Sequence, residues 1–299
     1  MSHMIQCRPQ ALPEEVLTAV SNWVQSQHTR LFALVLTENL DRILVYRIYA
    51  ERSHFENIEA LDVIVDSSGG DIEAAYQLVT FARQRCKKLR VFIPDWAKSA
   101  ATLFALGADE IWMSETAELG PLDAQIPDPR ESGEFISALD EFRAIDYLRD
   151  HGYAIFDEFV RLLIRRTHLR LKDVIGHAIE YSARIMTPLY SQVDPLYFGG
   201  AHRALEMSIE YGKRVMSRHA YSAWSDKKIG DVLKRLTWEY HSHSFVIDYH
   251  EAEKLGLRVH LLTGEMADNA HAIIKGVTDC VGFIDKEIPA PAAARAAGG

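Results

Sequence analysis

The chain has 299 residues, 48% hydrophobic and 25% charged, with a net charge of −9, enough for a sizeable core and a poor match for nucleic acid, since no Lys/Arg stripe interleaves with aromatics. Its three widely spaced cysteines, Cys7, Cys86 and Cys280, form no CxxC pair, which argues against a disulfide framework or a structural zinc site and fits a reducing, cytoplasmic setting. There is no apolar run of about 18 residues to span a membrane, and no basic-then-apolar start of a secretory signal.

Taken in chain order, residues 1–29 form an N-terminal segment, and residues 30–288 a single α/β domain. Residues 30–37 (RLFALVLT) and 42–50 (RILVYRIYA) are short, branched and aromatic, and read as strands. Residues 60–68 (ALDVIVDSS) are a nearly continuous apolar run that ends in polar residues, the pattern of a buried parallel strand. Residues 71–86 place Ile72, Ala75, Leu78, Val79 and Ala82 at helical spacing. A strand at 89–94, a helix at 100–106 and a strand at 110–113 follow, so the order predicts repeated right-handed crossovers on one sheet.

Residues 131–235 read as mostly helical, with the basic run 161–172 (RLLIRRTHLRLK) as the solvated face of an amphipathic helix and Gly199-Gly200 as a break between two others. Residues 244–248 (SFVID) read as a short strand-like element. A short helix stopped at Gly256 and a strand follow. The stretch 289–299 is low in complexity and predicts a disordered tail.

Two short stretches carry candidate chemistry. In DSSGGD (66–71) a buried strand meets a helix through Gly69 and Gly70, which permit positive φ and close approach of a ligand; N–H groups there, beside a helix start, suit an oxyanion. A plain tight turn explains the same residues. Ser99 opens the Ala-rich helix. It suits an N-cap, and it equally suits a nucleophile facing the strand ends.

VIVDSSGGDIEAA together with IPDWAKSAATLFALGADEIWM resembles the Clp/crotonase fold of serine peptidases, with repeated ββα units and a helical C-terminal region. Gly70 and Ser99 stand 29 positions apart, a spacing similar to that of the Clp protease proteolytic subunit. With ELGPLDAQI (118–126) and HSHSFVIDYHEAEKLGL near the end, the chain is similar to the serine dehydrogenase proteinase family, related to signal peptide peptidase A. The resemblance implies an acyl-enzyme on Ser99 and an oxyanion hole of the Gly70 and Ala100 N–H groups, with Gly69 shaping the turn. It also implies a protein or peptide substrate, a trimeric or hexameric homo-oligomer, and no metal or cofactor.

The chain departs from the Clp pattern in its bases: an acid, Asp123, stands where that family has its histidine, and His243 near where it has its aspartate. The expectation is a triad of Ser99, His243 and Asp123 with exchanged supports. Asp123 also suits a turn, and His241 could replace His243. Signal-peptide-peptidase relatives use a Ser–Lys dyad, which makes Lys98 the rival base, with Lys172, Lys213 and Lys228 further away in sequence; adjacent helix residues diverge by about 100°, so a direct Lys98–Ser99 dyad is awkward. Two other classes share the fold: a crotonase-type acyl-CoA enzyme, and a non-catalytic oligomeric scaffold.

Overall fold

A computed structural model describes residues 3–6, 12–26, 31–36, 39–55, 58–122, 124–129, 131, 135–240, 242–277 and 280–284. In chain order the elements are β1 (His3–Gln6), α1 (Glu14–Ser26), β2 (Leu31–Leu36), α2 (Arg42–Ala50), β3 (Ile58–Val65), α3 (Ile72–Arg85) and β4 (Cys86–Ile93). Then come β5 (Trp96–Ala97), α4 (Ala100–Leu106), β6 (Glu110–Met113), β7 (Glu118–Leu119), β8 (Gln125–Pro127), β9 (Phe135–Ser137), α5 (Ala138–Thr167), α6 (Leu171–Tyr190) and α7 (Pro195–Arg218). The chain closes with α8 (Asp226–Lys234), α9 (Tyr249–Lys254), β10 (Val259–Leu261), α10 (Gly264–Gly276) and β11 (Cys280–Ile284).

The chain divides into two units, Met1–Asp123 with Ser208–Gly299, and Ala124–Met207. The first unit is α/β. Its main sheet runs β1-β11-β2-β3-β4-β6-β10; β2, β3, β4, β6 and β10 pair in parallel, while β11 joins β2 and β1 antiparallel. β3 and β4 are central. The sequence IEALDVIV is buried at seven of its eight positions, which a strand covered on both faces requires. One face is covered by α3, through Ala74, Ala75, Leu78, Val79 and Ala82, and by α4, which is buried along its whole length. The other packs Ile64 and Phe92 against α1 and α10. There Asp62, fully buried, is held by Arg90 at 2.6 and 2.9 Å and by the Trp23 indole at 3.0 Å.

Beyond the strand ends a second, shorter ladder forms. Leu40 bridges Gly70, Ser67 bridges Ala97, β5 pairs β7, and Leu119 bridges Ile247. β2, β3 and β4 each hand over to a short bridge or strand before the helix that follows, the ββα repeat expected from the sequence. This ladder carries the candidate site.

Several sequence expectations are corrected. Residues 42–50 form helix α2, not a strand. Asp41 caps it, its carboxylate accepting from the Leu44 N–H at 2.7 Å, and Leu44 and Ile48, four apart, are its buried face. α7 runs unbroken through Gly199 and Gly200. The basic run 161–172 is not one helix face: α5 ends at Thr167, His168 turns the chain at φ 57°, and α6 begins at Leu171. Residues 244–248 make a single bridge at Ile247 rather than a strand. β1, α1, α10 and β11 were not anticipated as elements. The tail 289–299 lies outside the described residues.

The second unit, described by itself, is a β8–β9 hairpin followed by long helices. Ser137 caps α5, accepting from the Leu139 and Asp140 N–H groups. α6 buries Val174, Ala178, Ser182 and Met186, every fourth residue, and Phe159 of α5 stacks on Tyr181 with ring centroids 3.9 Å apart. Among the described residues no helix is long and apolar enough to cross a membrane.

Candidate active site

The Gly69–Gly70 turn and the start of α4 meet directly. Gly69 has φ 114° and Gly70 φ 130°, values that residues with a Cβ rarely adopt. A Cβ on Gly69 would lie 2.8 Å from the Lys98 carbonyl oxygen and 2.9 Å from Ser99 Cβ; one on Gly70 would lie 2.5 Å from the Leu40 carbonyl oxygen. Glycine is therefore required at both positions, at Gly69 by the approach of Ser99 itself. The Ser67 hydroxyl accepts from the Gly69 N–H at 3.1 Å, and Ser67 and Lys98 are joined through the short ladder. Asp71 ends the turn by capping α3, accepting from Glu73 and Ala74.

Ser99 stands at φ 49° and ψ −116°, outside the left-handed helical well and in a region that non-glycine residues rarely populate. Holding it there costs on the order of 1–3 kcal/mol, which the surrounding packing must offset. Ser99 holds the N-cap position of α4, as the sequence suits it to, but its side chain makes no capping hydrogen bond. The residue is 9% exposed, and among the described residues its hydroxyl has no hydrogen-bond partner. A serine on a strained strand-to-helix turn, with a hydroxyl spent neither on a cap nor on the core, is arranged as nucleophile elbows are.

Two backbone N–H groups, one of the turn and one of the α4 start, are without a backbone acceptor among the described residues. Within the described residues neither the Gly70 nor the Ala100 N–H donates to a backbone acceptor, because Leu40 bonds to the residues on either side of Gly70 and Ala100 begins its helix.

Lys98 is engaged with neighbours across the ladder. Its Nζ lies 2.9 Å from Glu118 Oε2, an ion pair by distance that lacks hydrogen-bond alignment, and it donates to the Phe245 carbonyl at 3.3 Å. It thereby ties the segment carrying His243 to the residue beside Ser99. His243 is half-buried in the turn that precedes Phe245. Asp123 and His241 lie outside the described residues. Lys172, Lys213 and Lys228 are exposed, so the burial that a lysine base requires is absent at all three.

Sequence reasoning missed three supports. Thr102 Oγ1 donates towards the Ala97 and Gly120 carbonyls and accepts from the Gly120 N–H at 3.1 Å, pinning α4 to the loop that leads to Leu122. Leu122 in turn donates to the Leu236 carbonyl, inside a π-helical turn at residues 235–239; such turns are uncommon and occur often at functional sites. Asp66, just before the turn, keeps one buried carboxylate oxygen without a partner. Burial, and then the neighbouring Asp95 carboxylate, push its carboxyl above the ordinary range, against the pull of the Trp96 N–H.

Comparison with known proteins bears on these residues. Residues 32–141 match the family model of the ClpP-like SDH-type serine proteinases. Two uncharacterized proteins of Methanocaldococcus jannaschii are 41% and 39% identical to the chain over 66 residues, 22% of this chain and 23% of each relative. The match thus spans under a quarter of those relatives' length. Among solved structures the chain is similar to a lysine-to-alanine mutant of the membrane-bound stomatin-specific protease 1510-N, in complex with a substrate peptide (13% identity, TM-score 0.44, 78% of this chain and 75% of that one). It is also similar to an asparagine-to-aspartate mutant of ClpP1 from Listeria monocytogenes (15% identity, TM-score 0.26, 51% and 81%). Both the glycine turn and Ser99 fall inside residues 32–141, the part of the chain that carries the signature of the ClpP-like SDH-type serine proteinases.

Proposed function

We propose that the protein is a serine peptidase that cleaves peptide bonds through an acyl-enzyme on Ser99. The observation that carries this reading is the backbone of Ser99, strained and packed against Gly69, with a hydroxyl that neither caps α4 nor bonds elsewhere among the described residues. In the proposed reaction Ser99 Oγ attacks the scissile carbonyl as a base takes its proton. The developing oxyanion is held by the Gly70 and Ala100 N–H groups, and the protonated base then gives its proton to the leaving amine. Water hydrolyses the ester by the reverse sequence. No metal or cofactor enters these steps.

The base in this reading is His243, oriented by Asp123. The Lys98–Phe245 contact supports it, since it fastens the His243 segment beside Ser99. Lys98, the alternative base, is engaged with Glu118 and Phe245 in the structure, which favours a tethering role for it. We further read the protein as cytoplasmic and as a homo-oligomer, trimeric or hexameric. The exposed apolar residues of α6, among them Leu171, Ile175 and Ile179, support assembly.

The test is hydrolysis of an unfolded protein substrate such as casein. Wild type is expected to cleave it and Ser99→Ala to lose at least about a thousandfold in rate, as triad serines do. An Ala variant that cleaves at the wild-type rate sinks the assignment.

A further inference from the structure

At the far end of α3 from the glycine turn lies a cavity of 140 Å³, walled by α3 and the C-terminal part of α7. Its lining holds no residue of the glycine turn or of α4, so this cavity is distinct from the Ser99 site. Tyr76, Thr80 and Arg83 line it from one face of α3; Arg214, Arg218 and His219 line it from the other side. No carboxylate lines it.

Three guanidiniums and an imidazole converge on a small space in a protein whose net charge is −9. Partners outside the lining neutralise part of this charge. Arg83, only 11% exposed at its side chain, pairs with Asp109, and Arg214 pairs with Glu210 at 2.8 Å. Two features remain unbalanced. Arg83 Nε is buried without a hydrogen-bond partner. Arg218 has only the Tyr76 hydroxyl, at 3.4 Å, and no carboxylate among the described residues. Burial first, and then the Arg83 charge, hold the His219 imidazole below the ordinary value, with Asp109 opposing and Arg218 adding to this. Arg214 and Arg218 are exposed, so the unmet demand is that of the buried Arg83 Nε and of the Arg218 charge, both of which an anion would satisfy.

We propose that this cavity binds a phosphate-type dianion, either inorganic phosphate or a small phosphate monoester. The space is large enough to admit a tetrahedral oxyanion between the two helices. Guanidinium groups match phosphate oxygens in geometry and charge, and the Thr80 and Tyr76 hydroxyls supply neutral donors.

The experiment is calorimetric titration of the full-length protein with inorganic phosphate, repeated with glycerol 3-phosphate and with sodium chloride of matched ionic strength. Saturable binding of one phosphate per chain is expected, with no response to chloride. A monoester that binds as well as phosphate identifies an open cavity; one that fails to bind identifies a closed one, and phosphate binding supports the site in both cases. Arg218→Gln should weaken binding by about tenfold or more, the worth of one charged hydrogen bond. Thr80→Val, which leaves every charge in place, should weaken it less and guards against a folding defect in the arginine variant. The proposal falls if phosphate shows no saturable binding up to tens of millimolar, or if it binds both variants as it binds wild type.

Discussion

Ser99 shows how one residue can satisfy two local rules and obey neither in the usual way. Its place before an Ala-rich helix satisfies the N-cap preference, yet the backbone is turned to φ 49° and the hydroxyl is not used as a cap. The turn that receives it depends on Gly69. At that position alanine would have to accept φ 114° and a Cβ 2.8 Å from the Lys98 oxygen, a backbone atom held by the Ala101 N–H. Gly69→Ala is therefore expected to destabilise the protein by about 2 kcal/mol or more, and to displace Ser99. Urea unfolding measures the loss; a midpoint unchanged from wild type would show that the turn adapts freely. The strain at Ser99 could not have been read from its sequence. KSAAT is compatible with an ordinary cap, and only contacts from Gly69, thirty positions upstream, fix the torsion. The two glycines themselves were legible, because a Gly-Gly pair between a buried strand and a helix has few other uses.

At the scale of elements, the helices and strands with the strongest patterns were legible: β3, α3, β4, α4 and β6 fall where periodicity puts them. α2 was not. Its residues favour strands individually, and what overrides them is tertiary: the Asp41 cap and the burial of Leu44 and Ile48 on one side. β1 and β11 lie at opposite ends of the chain and are strands because they pair with each other and with β2, information no local window contains. α3 joins the glycine turn to the cationic cavity, and its start is held by Asp71. Asp71→Ala removes the acceptor of the Glu73 and Ala74 N–H groups and should cost about 1 kcal/mol. Ser99→Ala, lacking any cap to lose, should cost well under half of that. Equal losses in the two variants, read from denaturant midpoints at constant slope, would mean that Ser99 caps α4 in solution.

For the whole molecule, residues far apart in sequence are assembled by one short ladder laid across the strand ends. It joins Leu40 to Gly70, Ser67 to Ala97, Ala97 to Leu119 and Leu119 to Ile247. The parallel sheet sets the spacing of these contacts. The glycine turn, the start of α4 and the segment after His243 are consecutive features along it, so residues near 70, 100 and 245 share one edge of the sheet. The central claim is that Ser99 is the nucleophile. The most direct measurement treats the protein with a fluorophosphonate probe and maps the adduct by peptide mass spectrometry. The account predicts a covalent adduct on Ser99, absent from Ser99→Ala. An adduct on another serine, or equal labelling of the Ala variant, would contradict it.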